Sequence, residues 1–486
     1  MDHETARSAT DAALARAADL ARSWAAGLDA GRVGPTASVA ELRERLGGPL
    51  PEAGKDPVAT IDALAAGASG GMVRSAGPRY FGFVVGGGLP AAVGADWLAS
   101  VWDQNAAMYV MGPAAAVAEE VAARWAAELL GLPAEASAGF TTGATMASFT
   151  ALAAARHALL EQAGWDVERN GLFGAPDVPV VVGEEAHVTI HAALQMLGMG
   201  RDRVRRVPTD RQGRMRADAL AEMLAGMDRP ALVCAQAGNV NTGAFDPLPE
   251  ITDLVRASGG WLHVDGAFGL WASADPARRH LLAGVERADS WTTDAHKWLN
   301  VPYDSGLVFC ARPAAHHAAM TLGAAYYVET AGGERDPYNW VAESSRRARG
   351  FAVWAAIRSL GREGVAAMVG RTCDHALRFA AGLAAAPSSL GIRVVNDVVL
   401  NQVLVRFDDP SGDGSAADAR TGAVVAAVQG DGTLWLGGSV WHGQRVMRIS
   451  VSGWRTTTED VDRSLATILR LAEAIPSAPF PAAATG

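Results

Sequence analysis

The sequence predicts an α/β chain whose large domain is a mostly parallel, doubly wound sheet flanked by helices, and three observations carry that prediction. Strand-like and helix-like segments alternate over 139–310, as βαβ crossovers require of a parallel sheet. The stretch Trp261-Leu-His-Val-Asp-Gly-Ala-Phe-Gly269 reads as a buried strand ending in Asp265 at a Gly-rich turn. A run of small residues over 139–150 leads into a strong helix over 151–160. Strand carboxyl ends and helix amino ends are where such sheets hold ligands.

Composition narrows the class. With 486 residues, 49% hydrophobic and 19% charged, the chain can bury a large core in two or three domains. A net charge of −10 and the lack of any basic tail argue against a nucleic-acid partner, whose binding draws on clustered Lys and Arg. Cys234, Cys310 and Cys373 are too widely spaced for a disulfide framework or a metal site. The acidic start, Met1-Asp-His-Glu-Thr5, is unlike a signal peptide, and no stretch reaches the roughly 20 apolar residues of a membrane span. A cytoplasmic protein without metal is expected.

Taken in order, 8–28 has apolar residues at helical spacing (Ala13, Ala17, Leu20, Trp24, Leu28), with Arg16, Asp19 and Arg22 between them. A Gly/Pro-rich segment, 31–57, surrounds a short helix at 40–46. Pro78-Arg-Tyr-Phe-Gly-Phe-Val-Val-Gly-Gly-Gly88 is an aromatic, β-branched run. Its Tyr80, Phe81 and Phe83 form either a pocket wall or an ordinary core strand. Helices follow at 91–102 and 114–130, the second stopped by Gly131-Leu-Pro133.

Gly143, Ala144 and Thr145 precede the next helix, where backbone N–H groups and a hydroxyl can converge on a phosphate. A strand at 178–183 leads to His187, with His191 one helical turn on. A strand at 231–235 leads to a turn over 238–246 that carries Asn239 and Asn241, and a further strand lies at 306–310. A helix at 351–360 bridges to a smaller α+β domain. Strands at 392–395, 401–407, 433–437 and 448–451 and helices at 421–429 and 458–475 build it. The expected division is 1–78, 79–365 and 366–486.

Lys297 carries the chemistry. It lies in Asp294-Ala-His-Lys-Trp-Leu299, and a lysine among apolar neighbours loses its proton more easily than one in water. A neutral amine can then form a Schiff base with an aldehyde cofactor; the alternative is a surface lysine at a strand end. Asp265 can pair with a protonated pyridine nitrogen and so keep the ring an electron sink. Together they would grip opposite ends of pyridoxal phosphate.

The Asp/Lys pair in this order resembles fold type I pyridoxal-phosphate enzymes. The block at 294–299 with His263-Val-Asp-Gly-Ala267 is similar to the group II amino-acid decarboxylases, which include the aromatic amino-acid and glutamate decarboxylases. The likeness runs from about Pro78 to the C-terminal helix. It implies a seven-stranded type of large sheet and a homodimer in which the N-terminal helices pack on the other subunit. Cofactor contacts are implied at Gly143, Ala144, Thr145, His187, Asn239, Asp265, Ala267, Asp294, His296 and Lys297, with His187 stacked over the ring.

The implied reaction is decarboxylation of an L-amino acid to its amine. Aldehyde-forming oxidative deamination, transamination, and a regulatory homologue of little turnover are the alternatives. Arg448 corresponds to an arginine that reaches a substrate carboxylate in the glutamate branch, and a structural ion pair is the rival reading. Gly86 stands where the aromatic branch has Thr. The mobile loop of the family carries a catalytic Tyr. Aligned on Trp340, that position is Pro337, leaving Tyr338 as the candidate acid, with Tyr326 and Tyr327 as rivals.

Overall fold

The computed structural model describes residues 2–321, 333–410 and 412–475. Tyr326 and Tyr327 therefore lie outside the described residues.

Among the described residues, twelve strands form two sheets. The larger contains β2 (Ser137–Thr141), β3 (Val180–Gly183), β4 (Arg205–Val207), β5 (Leu232–Gln236), β6 (Trp261–Asp265), β7 (Ser290–Asp294) and β8 (Gly306–Cys310) in the order β2-β8-β7-β6-β5-β3-β4. It is the seven-stranded sheet expected of fold type I. All pairings are parallel except those that β8 makes with β2 and β7. Strands β5, β6, β7 and β8 are buried along their whole length. That is why β5 and β8 read as near-continuous apolar runs rather than alternating ones. β4 escaped sequence reading because exposed Arg205 and Arg206 disguise an edge strand.

The helix predicted at 151–160 starts earlier and spans Ala144–Gln162. Its buried alanines let it lie close on the sheet, Ala147 and Ala151 packing on Val308 of β8. Gly306 is needed beside it, since a Cβ there would sit 2.4 Å from the Gly143 Cα. The carboxyl ends of β5, β6 and β7 and the start of this helix thus border one site.

The smaller sheet has the order β1-β11-β12-β10-β9, with β1 (Tyr80–Phe81), β9 (Ile392–Val394), β10 (Gln402–Phe407), β11 (Trp435–Trp441) and β12 (Gln444–Ser450). Tyr80 and Phe81, assigned to the large domain from sequence, pair in parallel with Trp435 and Leu436 of this sheet. The helix Gly350–Ala384 joins the two cores: Val353 and Ala356 enter the larger, Phe379 and Leu383 the smaller. The helix His3–Ala26 has no buried residue, and neither has Val39–Leu46.

Candidate active site

A cavity of about 400 Å³ opens at the carboxyl edge of the large sheet, within the usual size range of small-molecule sites. Gly143, Ala144, Thr145, His187, Asp265, Ala267, Asp294, His296 and Lys297 all line it. These nine predicted residues are brought together.

Strand geometry explains the placement. Asp265 ends β6 and Asp294 ends β7, so both carboxylates project where the sheet stops. Asp265 Oδ1 accepts from the Ala267 N–H at 3.1 Å, which fixes its rotamer. Lys297 lies in the turn after β7, and its Nζ is 2.9 Å from Asp294 Oδ2. Asp294 Oδ1 accepts from the Ala144 N–H at 2.6 Å.

The two histidines are held neutral. Burial pushes His187 below its ordinary value, and the charges of Lys297 and Arg448 push the same way against those of Asp265 and Asp294. His187 caps the helix Val188–Met196, with Nδ1 2.8 Å from Thr189 Oγ1. Burial likewise lowers His296. Its Nδ1 accepts from the Ser305 N–H at 3.0 Å, so Nε2 carries the proton. Tyr303 stacks on the ring at 4.3 Å between centroids. His191, the rival to His187, instead turns its Nδ1 to the Arg201 carbonyl at 3.2 Å.

Several predicted residues are elsewhere. Asn239 is buried but does not line the cavity: its Oδ1 accepts from the Asn241 and Thr242 N–H groups at 2.9 and 3.2 Å, shaping the turn. Phe81 belongs to the smaller core, edge-on to Phe379 at 5.1 Å, and forms no pocket wall. Tyr80 stacks on Trp435 at 5.1 Å, and Phe83, exposed and with φ of +55°, stacks on the same indole at 5.4 Å. Tyr338 is packed with Ala107 and Met108 and lines no part of the cavity.

Arg448, on β12, reaches towards the His187 side of the site. Its Nη1 is 3.4 Å from Asn241 Oδ1, and among the described residues it has no carboxylate partner, so the structural ion pair is not formed. Burial lowers the affinity of its guanidinium for its proton.

Sequence reading missed Gln236, Phe268 and Tyr303, which also line the cavity. Gln236 could have been found, because it is the last residue of β5 and lies in register with Asp265. Tyr303 gave no signal, being brought back to the site by an irregular loop.

The donor set fits pyridoxal phosphate. A lysine amine, a carboxylate and a helix start line one cavity. A Cβ at Gly143 would come within 3.3 Å of His296 Cε1 and 3.5 Å of Asp294 Oδ1, so the glycine keeps the cradle open.

Comparison with known proteins agrees. A family model described as the pyridoxal-dependent decarboxylase conserved domain matches residues 68–407. An aromatic-L-amino-acid decarboxylase of Bacillus atrophaeus is 30% identical over 346 residues, 70% of this chain and 69% of the relative. An L-2,4-diaminobutyrate decarboxylase of Rhizobium meliloti (strain 1021) is 32% identical over 381 residues, 77% and 74% of the two chains. The crystal structure of Oryza sativa TDC with PLP and tryptamine has the same fold, with a TM-score of 0.89 at 23% identity over 98% of this chain and 99% of that one.

Proposed function

The chain belongs to the pyridoxal-dependent decarboxylase family and is a pyridoxal-phosphate-dependent carboxy-lyase, and we propose that it converts an L-amino acid to the corresponding amine and CO2. The observation that carries this reading is the convergence of Lys297, Asp265 and His187 on one cavity. Bound pyridoxal phosphate supplies the electron sink that makes loss of CO2 feasible.

The residues divide the remaining work. Lys297 would hold the cofactor through its amine, the group that forms a Schiff base with an aldehyde. Asp265 would keep the pyridine nitrogen protonated, and the Thr145 N–H and hydroxyl at the helix start, beside the Ala144 N–H that Asp294 already holds, would take the phosphate. His187, neutral and partly desolvated, would cover the cofactor ring. Its proposed role is to turn the substrate carboxylate out of the ring plane, since the bond perpendicular to the ring is the one that breaks. Arg448, a guanidinium without a carboxylate partner among the described residues, is our candidate for a substrate carboxylate. Tyr80 and Phe83, held by Trp435, would border the entrance to the substrate.

The test is a panel of L-amino acids with CO2, amine, aldehyde and keto acid measured together, with and without O2. CO2 and amine in equal amounts, independent of O2, are expected from one or a few substrates. Keto acid without CO2 would replace decarboxylation by transamination. Lys297→Ala is expected to lose turnover and the covalent retention of cofactor through gel filtration; retention by the variant would remove Lys297 from its role.

We also infer a homodimer. The helix Pro90–Trp102 exposes Trp97, Leu98, Val101 and Trp102, and the nearby Val110 and Met111 are exposed too. A clustered apolar surface of this kind marks an interface. Equilibrium sedimentation should give twice the chain mass, and Val101→Asp should shift it towards one. Among the described residues no helix is long and apolar enough to cross a membrane, and the three free cysteines are all buried, which suits the cytoplasm we propose as its compartment.

A further inference from the structure

The carboxylate of Asp294 occupies the start of the Ala144–Gln162 helix. Its Oδ1 takes the Ala144 N–H at 2.6 Å, its Oδ2 holds Lys297 Nζ at 2.9 Å, and its side chain is 2% exposed. Free N–H groups at a helix start are also what a phosphate uses. The phosphate placed at Gly143–Thr145 in the reading above therefore meets a second anion at the same groups.

The charges there do not balance. Lys297 contributes one positive charge and the helix start about half of one. Asp294 contributes one negative charge and a phosphate monoester about 1.5 to 2. The excess is roughly one negative charge. No other lysine or arginine lines the cavity among the described residues, and Arg448, bonded to Asn241, bears on His187 rather than on His296 beside Asp294.

Neighbouring groups cannot remove this excess. His296, with Nε2 3.6 Å from Asp294 Oδ1, is kept neutral by burial and by the Ser305 N–H on Nδ1. The Asp304 carboxylate, beyond it, is tied to Arg349 at 2.7 Å. Tyr303 is a neutral phenol, held so by burial. His187 is neutral too, and Asp265 adds further negative charge on the pyridine side. The loop Thr142–Thr145 has no titratable side chain. An ionised carboxylate has no proton to donate to a phosphate oxygen, and like charges at such range cannot both stay fully ionised.

We propose that Asp294 and the cofactor phosphate share one proton, so that capture of the phosphate takes up a proton from solution and weakens as pH rises. This rests on the placement of the phosphate at Gly143–Thr145. The proton bridges a carboxylate and a phosphate oxygen; no bond to carbon or phosphorus changes. Asp294 is then a residue that sets the pH range of cofactor loading.

Binding of pyridoxamine phosphate, which has the ring and phosphate but no aldehyde, tests this without turnover. Calorimetry of the cofactor-free protein in two buffers of different ionisation enthalpy reads proton uptake directly. Above pH 7 the wild type should take up close to one proton more per ligand than Asp294→Asn. The ratio of their Kd values should change by up to about tenfold per pH unit, the slope of one linked proton. Equal uptake in both proteins would overturn the proposal.

Pyridoxamine, which lacks the phosphate, separates the placement of the phosphate from the shared proton. Thr145→Ala should weaken pyridoxamine phosphate and leave pyridoxamine unchanged. If it weakens both equally, the phosphate lies elsewhere and the placement fails along with the proposal. If Thr145→Ala is selective but the proton uptake of wild type and Asp294→Asn is equal, only the shared proton is lost.

Discussion

Gly86 shows how tightly the site is held at the residue scale. A Cβ there would lie 2.0 Å from the Lys297 carbonyl oxygen and 3.0 Å from that of His296. Backbone meets backbone at this point, so no side-chain rotamer can relieve the contact. Gly86→Thr, which would install the residue of the aromatic branch, must move the turn that carries Lys297. Overpacking of this kind costs about 1–3 kcal/mol, and the variant should unfold at lower urea and retain less cofactor; an unchanged midpoint would mean that the turn yields freely. The same scale separates what was legible. Lys297 and Asp265 were readable because strand-end motifs fix both residue type and position. Phe81 was not, because alternation along a strand says which residues share a face and not whether that face meets a core or a ligand. Asn239 was misplaced because an amide in a turn serves its own backbone as readily as a ligand.

Elements were legible where apolar runs are long, and blurred where small residues dominate. β5, β6 and β8 were found from their sequences, whereas the helix at Ala144–Gln162 was read as starting seven residues late because Thr and small residues fill its first turns. The bridging helix is more instructive. Its predicted end at Leu360 coincides with a real break: Gly361 has φ +62° and ψ −179°, a conformation essentially confined to glycine, and a second helical stretch then continues to Ala384. Nothing lies within 4 Å of a Cβ built on Gly361, so any cost of a side chain there comes from the backbone alone. Gly361→Ala should therefore destabilise by about 1–3 kcal/mol, seen in chemical denaturation with an unchanged slope. A neutral result would show that the two halves can merge into one straight helix without disturbing either core.

At the scale of the whole molecule, buried titratable groups decide how the fold responds to acid. Burial pushes His263 down to about 3 and His316 down to about 4, from an ordinary 6.5. Between pH 6.5 and those values the unfolded chain binds protons that the native chain refuses. Stability is therefore present above pH 6.5 and lost as pH falls, by up to about 1.4 kcal/mol per unit for each group. Asp246 acts in the opposite sense. Burial pushes it up to about 6 from 3.8, against the Met215 and Gln236 N–H bonds that lower it, so between those values the native state holds the proton more firmly. One such group offsets only one of the two histidines, and acid should destabilise the fold. His316 is the better probe, because it ties three parts of the chain together: its Nδ1 lies 2.8 Å from Ser137 Oγ on β2, and its Nε2 donates to the Trp340 carbonyl at 2.9 Å from the Pro313–Met320 helix. His316→Gln keeps a hydrogen-bonding side chain but cannot titrate. Its urea midpoint should lie below that of the wild type at pH 7.5, and the gap should narrow steadily towards pH 4.5. A gap that stays constant across that range would mean that His316 titrates alike in the folded and unfolded chain, and that acid acts on this fold through other groups.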